Sequence, residues 1–153
     1  MAKIDFAKVE EKVGCGYPKP FDQPCLKRSR KRLGDAAKLT QFGVNLLTLK
    51  PGVWSSQRHW HTKEDEFIFV VKGEVVLVSD DGEEILRAGD CAGFKAGKKN
   101  GHHLQNRSKR DAQVLEVGTR TSDDDTDYPD IDMRYDSKAK KGGAYVHRNG
   151  KRY

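Results

Sequence analysis

Between residues 43 and 117 the sequence is a succession of short strand-like segments separated by turn residues. Most of these segments are rich in β-branched and aromatic residues or alternate apolar with polar side chains. Glycine-containing turns divide them at short intervals, and Asp80-Asp81-Gly82 is a typical hairpin signal. No stretch of this region keeps the period of an amphipathic helix. The pattern therefore predicts an all-β protein built as an antiparallel sandwich or barrel.

The predicted strands are 43–49, 54–61, 66–72, 74–79, 83–87, 91–94, 102–106 and 112–117. Outside them, only residues 5–13 have a pattern that favours a short helix. The length of 153 residues indicates one domain with a single core. Within it we expect an irregular N-terminal arm and first strand over 1–34, a barrel over 35–120, and an acidic loop with a basic tail over 121–153.

The net charge of +6 is unevenly distributed along the chain. Residues 27–32 hold five basic side chains, whereas residues 121–136 hold seven acidic side chains and one basic side chain. Proteins that bind nucleic acids more often carry their positive charge on one folded face together with aromatic residues, so a nucleic-acid partner is not expected. The basic run is expected to form solvated rows on a strand or an interface with the acidic segment.

Several features indicate a cytoplasmic protein. The first residues contain no apolar stretch of the kind found in secretory signals. Apolar runs such as 67–71 are far too short to span a bilayer, so no membrane association is expected. The three cysteines are odd in number and lack metal-site spacing, which is typical of free thiols in a reducing compartment. Among them, Cys91 lies beside apolar residues and is expected to be buried.

Four residues with metal-binding side chains stand out: His59, His61, Glu66 and His102. On a strand, alternate side chains share a face, so His59 and His61 point the same way about 7 Å apart. Glu66 begins the next predicted strand, and His102 lies on a later one. Imidazole nitrogens with one carboxylate oxygen form an open-sided site for a divalent transition metal, and Mn, Fe, Ni, Cu or Zn would all suit it.

Two sets of residues resemble the two motifs of the cupin superfamily. The first motif is matched by Gly52, His59, His61, Glu66 and Gly73, and the second by Gly89, Gly97, His102 and Asn106. The resemblance implies a double-stranded β-helix, a jelly-roll barrel, with His59, His61, Glu66 and His102 as metal ligands. The second motif is looser, because Lys95 stands where proline is usual and two extra residues precede the histidine. His103 therefore remains an alternative to His102.

The wider sequence is similar to a subgroup of small single-domain cupins, some of which carry a sugar-phosphate isomerase label. The similar segments are 33–35, 57–61, 100–104, 116–120 and 128–130. Cupins of this type commonly pair through their outer sheets, so the resemblance implies a homodimer. Trp60 is expected to point away from the pocket and to pack against another layer or a partner subunit.

The metal site implies a function, although the sequence does not identify the substrate. Four protein ligands would leave positions open on a metal ion, which supports Lewis-acid chemistry on a small polar molecule, carbohydrate-derived or carboxylated, by an isomerase, lyase or dioxygenase. Gln57 and Asn106 share the predicted pocket face and are candidates for substrate binding. No good general base accompanies them, so Glu66 itself is the catalytic candidate. A non-enzymatic cupin that binds or senses a small ligand is the alternative.

Overall fold

A computed structural model describes residues 3–153. Within them the chain forms thirteen strands, one short helix and two 3-10 turns, at Phe6–Lys8 and Gln23–Cys25. The strands and helix are β1 (Glu11–Val13), β2 (Ser29–Arg32), α1 (Leu33–Ala36), β3 (Phe42–Leu49), β4 (Trp60–His61), β5 (Glu66–Lys72), β6 (Glu74–Ser79), β7 (Gly82–Arg87), β8 (Cys91–Phe94), β9 (His103–Gln105), β10 (Ala112–Thr119), β11 (Thr126–Tyr128), β12 (Met133–Asp136) and β13 (Ala144–Val146). Over residues 3–153, no helix is long and apolar enough to cross a membrane.

The strands form two facing layers, and all of their pairings are antiparallel. One layer is a six-stranded sheet with the order β1-β2-β3-β10-β5-β8. The other consists of the sheets β7-β6-β9 and β13-β12-β11-β4, which an isolated bridge between His59 and His102 connects. This arrangement confirms the predicted all-β jelly roll, in the form of a β-sandwich whose sheets do not close completely.

The inner face of the six-stranded sheet is apolar at one end and polar at the other. Side chains from both layers fill the apolar end, where the buried core comprises Leu47, Leu49, Val53, Ile68, Val70, Val75, Leu86, Leu104, Ala112 and Val114. Beyond this core the inner face of the central strands becomes polar. Glu116 of β10 pairs there with Asn45 of β3, and Gly118 of β10 pairs with Glu66 of β5. The core therefore supports one end of the sandwich and leaves the other end available for a polar site.

The turn between β5 and β6 requires glycine. Gly73 has a φ of +77°, and a Cβ at this position would lie 2.9 Å from the carbonyl oxygen of Asp111. A side chain would be both strained and in collision with backbone atoms. This glycine ends the first of the two motif-like sequences and fixes the point at which the chain passes from one layer to the other.

Three local predictions were wrong. Residues 5–13 form a 3-10 turn and β1 instead of a helix, because so short a helix has little stability of its own and β1 gains backbone hydrogen bonds to β2. The predicted strand 54–61 is regular only at Trp60–His61, and residues 55–58 bend. Cys91 is exposed, because its side chain lies on the outer face of the edge strand β8.

Candidate metal centre

Three imidazole rings converge on one carboxylate oxygen at the polar end of the sandwich. The Nε2 atoms of His102, His61 and His59 lie 2.9, 3.5 and 3.7 Å from Oε2 of Glu66. The potential ligand atoms of His59, His61 and Glu66 all lie within 4.8 Å of one another, close enough to share one metal ion. The residues that the sequence proposed as a ligand set thus lie together, although they come from three separate segments of the chain.

Backbone pairing brings two of these histidines side by side. The amide nitrogen of His59 donates to the carbonyl oxygen of His102 at 3.1 Å, and that of His102 donates to the carbonyl of His59 at 2.8 Å. Directly paired residues on antiparallel strands present their side chains on the same face. The ring of Phe94 stacks on the ring of His102 at 3.5 Å and fixes its orientation.

The other ring nitrogen of each histidine contacts an oxygen atom. Nδ1 of His59 lies 2.9 Å from the carbonyl oxygen of Gln57, and Nδ1 of His61 lies 2.6 Å from Oδ2 of Asp124. Nδ1 of His102 makes a longer contact of 3.4 Å with the carbonyl oxygen of Asn100. Carbonyl and carboxylate oxygens only accept, so Nδ1 of His59 and of His61 carries the proton and their Nε2 atoms present lone pairs to the cluster. In the absence of a metal, Nε2 of His102 is placed to donate to Oε2 of Glu66. The donor set therefore fits a divalent transition metal.

The electrostatics of the cluster favour an ionised Glu66 beside a neutral His59. Burial alone would lower the pKa of His61, but its hydrogen bond with Asp124 and the nearby Glu66 raise it. Burial lowers the pKa of His59 to about 3, so its ring is uncharged near neutral pH. Burial alone would raise the pKa of Glu66, but the hydrogen bond with His102 and the nearby His59 and His61 lower it to about 2. Metal ions bind ionised carboxylates and neutral imidazoles, which are the forms that this environment favours for Glu66 and His59.

Asp124 is a site residue that the sequence analysis did not single out. Its carboxylate is buried and also accepts hydrogen bonds from Thr62 Oγ1 and from the amide nitrogen of Lys63. Burial alone would raise its pKa, but the hydrogen bond with His61 contributes to lowering it. Asp124 lies within an acidic run, and nothing local in the sequence distinguishes it from its neighbours.

A cavity of about 350 Å³ lies next to the cluster and reaches the inner face of the six-stranded sheet. His59, Glu66 and His102 line one side of it. The neighbouring strands β3 and β10 contribute Gly43 and Gly118, and Gly118 pairs directly with both Gly43 and Glu66. The guanidinium group of Arg120 lies over Gly43, whereas the missing side chain at Gly118 leaves space immediately beside Glu66.

Part of the basic run faces this cavity instead of solvent. Arg30 pairs with Leu47 across β2 and β3 and therefore lies on the inner face, where its Nη2 donates to Oε1 of Glu116 at 2.8 Å. Arg28 is buried and also lines the cavity. The expectation of solvated basic rows or an interface with the acidic segment thus fails for these two arginines. Two positive charges of the basic run therefore lie inside the protein, because alternate side chains along this segment point inward.

The structure does not bring Gln57 and Asn106 to the cavity wall. Gln57 lies in the bend at 55–58, and its Nε2 donates to the carbonyl oxygen of Phe21 at 2.7 Å. Asn106 has no exposed surface, and its Nδ2 donates to the carbonyl oxygens of Leu49 and Arg110. His103 also has separate partners, because its Nδ1 lies 2.9 Å from the carbonyl oxygen of Ser56.

A second cavity of about 250 Å³ lies on the other side of the cluster. It shares Glu64, Glu66, Phe94 and His102 with the first cavity. Its remaining lining includes Trp60, whose ring lies 5.9 Å from Nζ of Lys99. The candidate ligands therefore form a partition between two cavities.

Comparisons with known proteins agree with this geometry. Residues 45–118 match the family model described as the Cupin domain. No curated protein sequence matches the chain significantly. A crystal structure of a sugar phosphate isomerase from a cupin superfamily, from Silicibacter pomeroyi, is 43% identical with a TM-score of 0.93, and the match covers 99% of this chain and 96% of that one.

Two further solved structures are similar. A protein from Acidithiobacillus ferrooxidans, described as a proposed sugar phosphate isomerase, is 27% identical over 95% of this chain and 88% of that one, with a TM-score of 0.80. A proposed oxalate decarboxylase from Thermotoga maritima is 19% identical over 78% of this chain and all of that one, with a TM-score of 0.60, and it supports the fold alone. Together with its two-layered jelly roll and its converging histidines, these similarities show that the chain belongs to the cupin superfamily.

Proposed function

We propose that this cupin binds one divalent transition metal through His59, His61, Glu66 and His102. The observation that carries the proposal is the convergence of three Nε2 atoms on Oε2 of Glu66. We further propose that the protein is a metal-dependent enzyme with an isomerase-like reaction on a small polar molecule, carbohydrate-derived or carboxylated. The sugar phosphate isomerase name of the 43% identical relative supports this class.

Different residues of the chain would hold the metal, make room for the substrate and keep the ligands in position. A bound metal supplies a Lewis acid that polarises a carbonyl or hydroxyl oxygen. Gly118 leaves room for a substrate beside Glu66, and the cavity of about 350 Å³ has the size of a small-molecule site. Phe94 holds the ring of His102, so the cluster keeps its shape while a ligand enters.

We assign proton transfer to Glu66. Two other carboxylates line the cavity, but Glu116 is paired with Arg30, and Oε1 of Glu64 accepts the amide hydrogen of Thr121. Glu66 is the cavity carboxylate that belongs to the cluster itself. Its Oε1 has no hydrogen-bond partner in the part of the chain that the structure describes. Reaction at the metal and movement of a proton would then depend on one side chain.

Elemental analysis of protein purified without a metal-chelating tag tests the metal proposal. We expect a near-stoichiometric transition metal in the wild-type protein and a loss of it in His59→Ala and His61→Ala. The matched control is His147→Ala, because His147 contacts Asp132 away from the cluster. A wild-type protein that holds no transition metal above background would contradict the proposal.

A non-enzymatic cupin that binds or senses a small ligand is the second candidate. It is favoured by the engagement of Glu64 and Glu116, the other two cavity carboxylates, in contacts within the protein. A thermal-shift screen of sugar phosphates and small carboxylates separates the two functions, since ligand binding alone stabilises the folded state. Turnover of a stabilising compound that is lost in His59→Ala would establish the enzyme. Stabilisation without conversion would establish the binding protein.

A further inference from the structure

One wall of the cavity beside the cluster is built by segments that lie outside the matched cupin domain. Tyr17 and Arg28 come from the N-terminal arm, and Tyr145 comes from β13 near the end of the chain. The three residues are close neighbours, because the rings of Tyr17 and Tyr145 lie 5.5 Å apart and the guanidinium carbon of Arg28 lies 5.8 Å from the Tyr17 ring. This group is referred to below as the arm–tail wall.

Arg28 carries a buried charge that no carboxylate neutralises. The residue is 9% exposed, its Nε donates to the carbonyl oxygen of Gly14 at 3.1 Å, and its Nη1 donates to the carbonyl oxygen of Ser55. Within residues 3–153, no aspartate or glutamate forms an ion pair with it. A buried charge is normally paired, and the neighbouring Arg30 follows that rule through Glu116.

The two arginines differ in the groups that accept their hydrogen bonds. Arg28 and Arg30 belong to the same short basic run and line the same cavity, yet among the described residues only Arg30 forms an ion pair with an acidic side chain. The Nη2 group of Arg28 has no hydrogen-bond acceptor among the side chains and backbone atoms of residues 3–153. Its two hydrogens remain available to a ligand in the cavity.

Tyr17 and Tyr145 line the same cavity as this guanidinium, and the hydroxyl group of each also contacts that of Tyr128. Burial raises the pKa of Tyr17 and that of Tyr145, so both side chains remain neutral and keep their hydroxyl hydrogens. Neutral tyrosines donate hydrogen bonds to anionic oxygen without adding negative charge to the wall. Their rings also exclude water, which strengthens hydrogen bonds to a charged ligand.

We propose that Arg28, Tyr17 and Tyr145 form a binding subsite for an oxyanion of the substrate, either a phosphate ester or a carboxylate. The subsite shares its cavity with His59, Glu66 and His102, so an anion held there would direct the remainder of the molecule toward the metal cluster. The substrate class rests on the proposed function. The oxyanion site itself rests on the unpaired buried arginine.

Titration calorimetry with inorganic phosphate and with acetate tests the subsite. The protein is measured as purified and again after treatment with a chelator, because an anion could also bind directly to a metal. We expect binding in both states, and the anion that binds more tightly identifies the substrate group. Arg28→Gln is expected to weaken binding roughly 10- to 100-fold, the effect of losing a hydrogen bond to a charged group.

Arg32→Gln is the matched control, because Arg32 belongs to the same basic run but is exposed and lies beside Asp35. The affinity of the Arg32→Gln variant for phosphate and for acetate is expected to equal that of the wild type. Unchanged binding in a folded Arg28→Gln variant would overturn the subsite. Absence of binding of both anions to the wild-type protein would overturn it as well, and so would binding that requires the metal and ignores Arg28.

Arg28 also connects the arm to the segment at Ser55, so its replacement could disturb folding. Circular dichroism and metal content are therefore measured for every variant. If Arg28→Gln does not fold, Tyr17→Phe and Tyr145→Phe test the subsite in its place, since each removes only a hydroxyl group. We expect each to weaken anion binding several-fold, and unchanged affinity in both would refute the subsite. A wild type that binds the anion through Arg28 but holds no metal would contradict the proposed function alone.

Discussion

Asp124 illustrates how a residue without a predicted role can control the candidate site. Its Oδ2 accepts the Nδ1 hydrogen of His61 at 2.6 Å, which orients the ring and increases the basicity of the Nε2 atom that faces Glu66. Metal-binding histidines usually have such a partner, and its loss typically lowers metal affinity about 10- to 100-fold. The strength of the site therefore depends on a side chain that does not touch the metal position.

Asp124→Asn is expected to lower metal affinity by this roughly 10- to 100-fold factor, because it removes the negative charge with little change in size. Competition with a chelator of known affinity measures the effect. The control is Asp123→Asn, since Asp123 is exposed and pairs only with Lys63 at the surface. Equal metal affinity in the two variants would show that the contact between Asp124 and His61 does not support the site.

His102 and His103 offer a sharper comparison within two adjacent positions. His102 directs Nε2 toward Glu66, whereas His103 contacts Ser56 and Gln105. We expect His102→Ala to lose metal and His103→Ala to retain it, although both variants remove a buried imidazole. Elemental analysis of the two proteins measures the difference. Retention of metal by His102→Ala together with its loss from His103→Ala would reverse the assignment.

Sequence spacing was informative for the four candidate ligands and uninformative for residues whose positions depend on bends or long-range contacts. The motif-like spacing grouped His59, His61, Glu66 and His102, which the fold does bring together. Strand alternation misplaced Gln57, because the chain bends at residues 55–58 and its side chain turns toward Phe21. The role of Asp124 depends on a contact across 63 residues, which no local pattern reveals.

At the scale of elements, the site depends on three neighbouring strands in register. β3, β10 and β5 place Gly43, Gly118 and Glu66 in one row across the sheet. A Cβ at Gly118 would lie 3.4 Å from the carbonyl oxygen of Asp65 and 3.7 Å from Cγ of Glu66, which are ordinary contacts. A methyl group therefore fits at this position, whereas a larger side chain would extend into the cavity.

Gly118→Ala is expected to keep ligand binding and to raise the free energy of unfolding by roughly 0.4–1 kcal/mol, because alanine restricts the unfolded chain. Gly118→Leu is expected to retain the fold and to lose ligand binding, since its side chain fills the space beside Glu66. Denaturant unfolding and calorimetry with phosphate measure the two effects. Full ligand binding by a folded Gly118→Leu variant would mean that the ligand does not occupy this part of the cavity.

The strands themselves could be predicted where their sequence carries its own signal. β5 and β8 begin and end at the predicted residues, because apolar runs and flanking turns mark both ends. β1 could not be predicted, since its burial pattern is exposed throughout and its stability comes from backbone hydrogen bonds to β2. Strands that join a sheet only at its edge leave little trace in their own sequence.

At the scale of the whole molecule, the outer face of the six-stranded sheet presents an apolar surface. Phe67, Phe69 and Val71 of β5 are 42%, 38% and 47% exposed. Across β10, Phe69 pairs with Leu115 and Phe67 with Val117, which extends the apolar surface over neighbouring strands. We propose that two copies of the chain pair through this face, as the resemblance to other cupins implies.

Light scattering at micromolar concentration is expected to give twice the mass of one chain. Phe69→Glu is expected to give a single chain, because a charge at the centre of an apolar interface is costly to bury. Ile85→Glu is the control, since Ile85 is also an exposed apolar residue but lies on β7 in the other layer. A wild-type protein with the mass of one chain would contradict the dimer.

The flanks show where prediction from sequence reached its limit at this scale. The cupin match ends at residue 118, and residues 1–34 and 121–153 carried only charge and turn signals. In the structure they supply Arg28, Tyr145 and Asp124, which lie near the cluster through long-range packing. Their positions follow from the way in which the arm and the tail cover the sandwich, and short segments of sequence do not encode that covering.

Glu66 and His102 line both cavities, which affects how small molecules reach the candidate metal ligands. A molecule that fills the larger cavity closes one approach to the ligand side chains and leaves the smaller cavity on their other side. Two reactants, or a reactant and a departing water molecule, could then occupy separate cavities. The order in which they arrive need not be fixed by one blocking the path of the other.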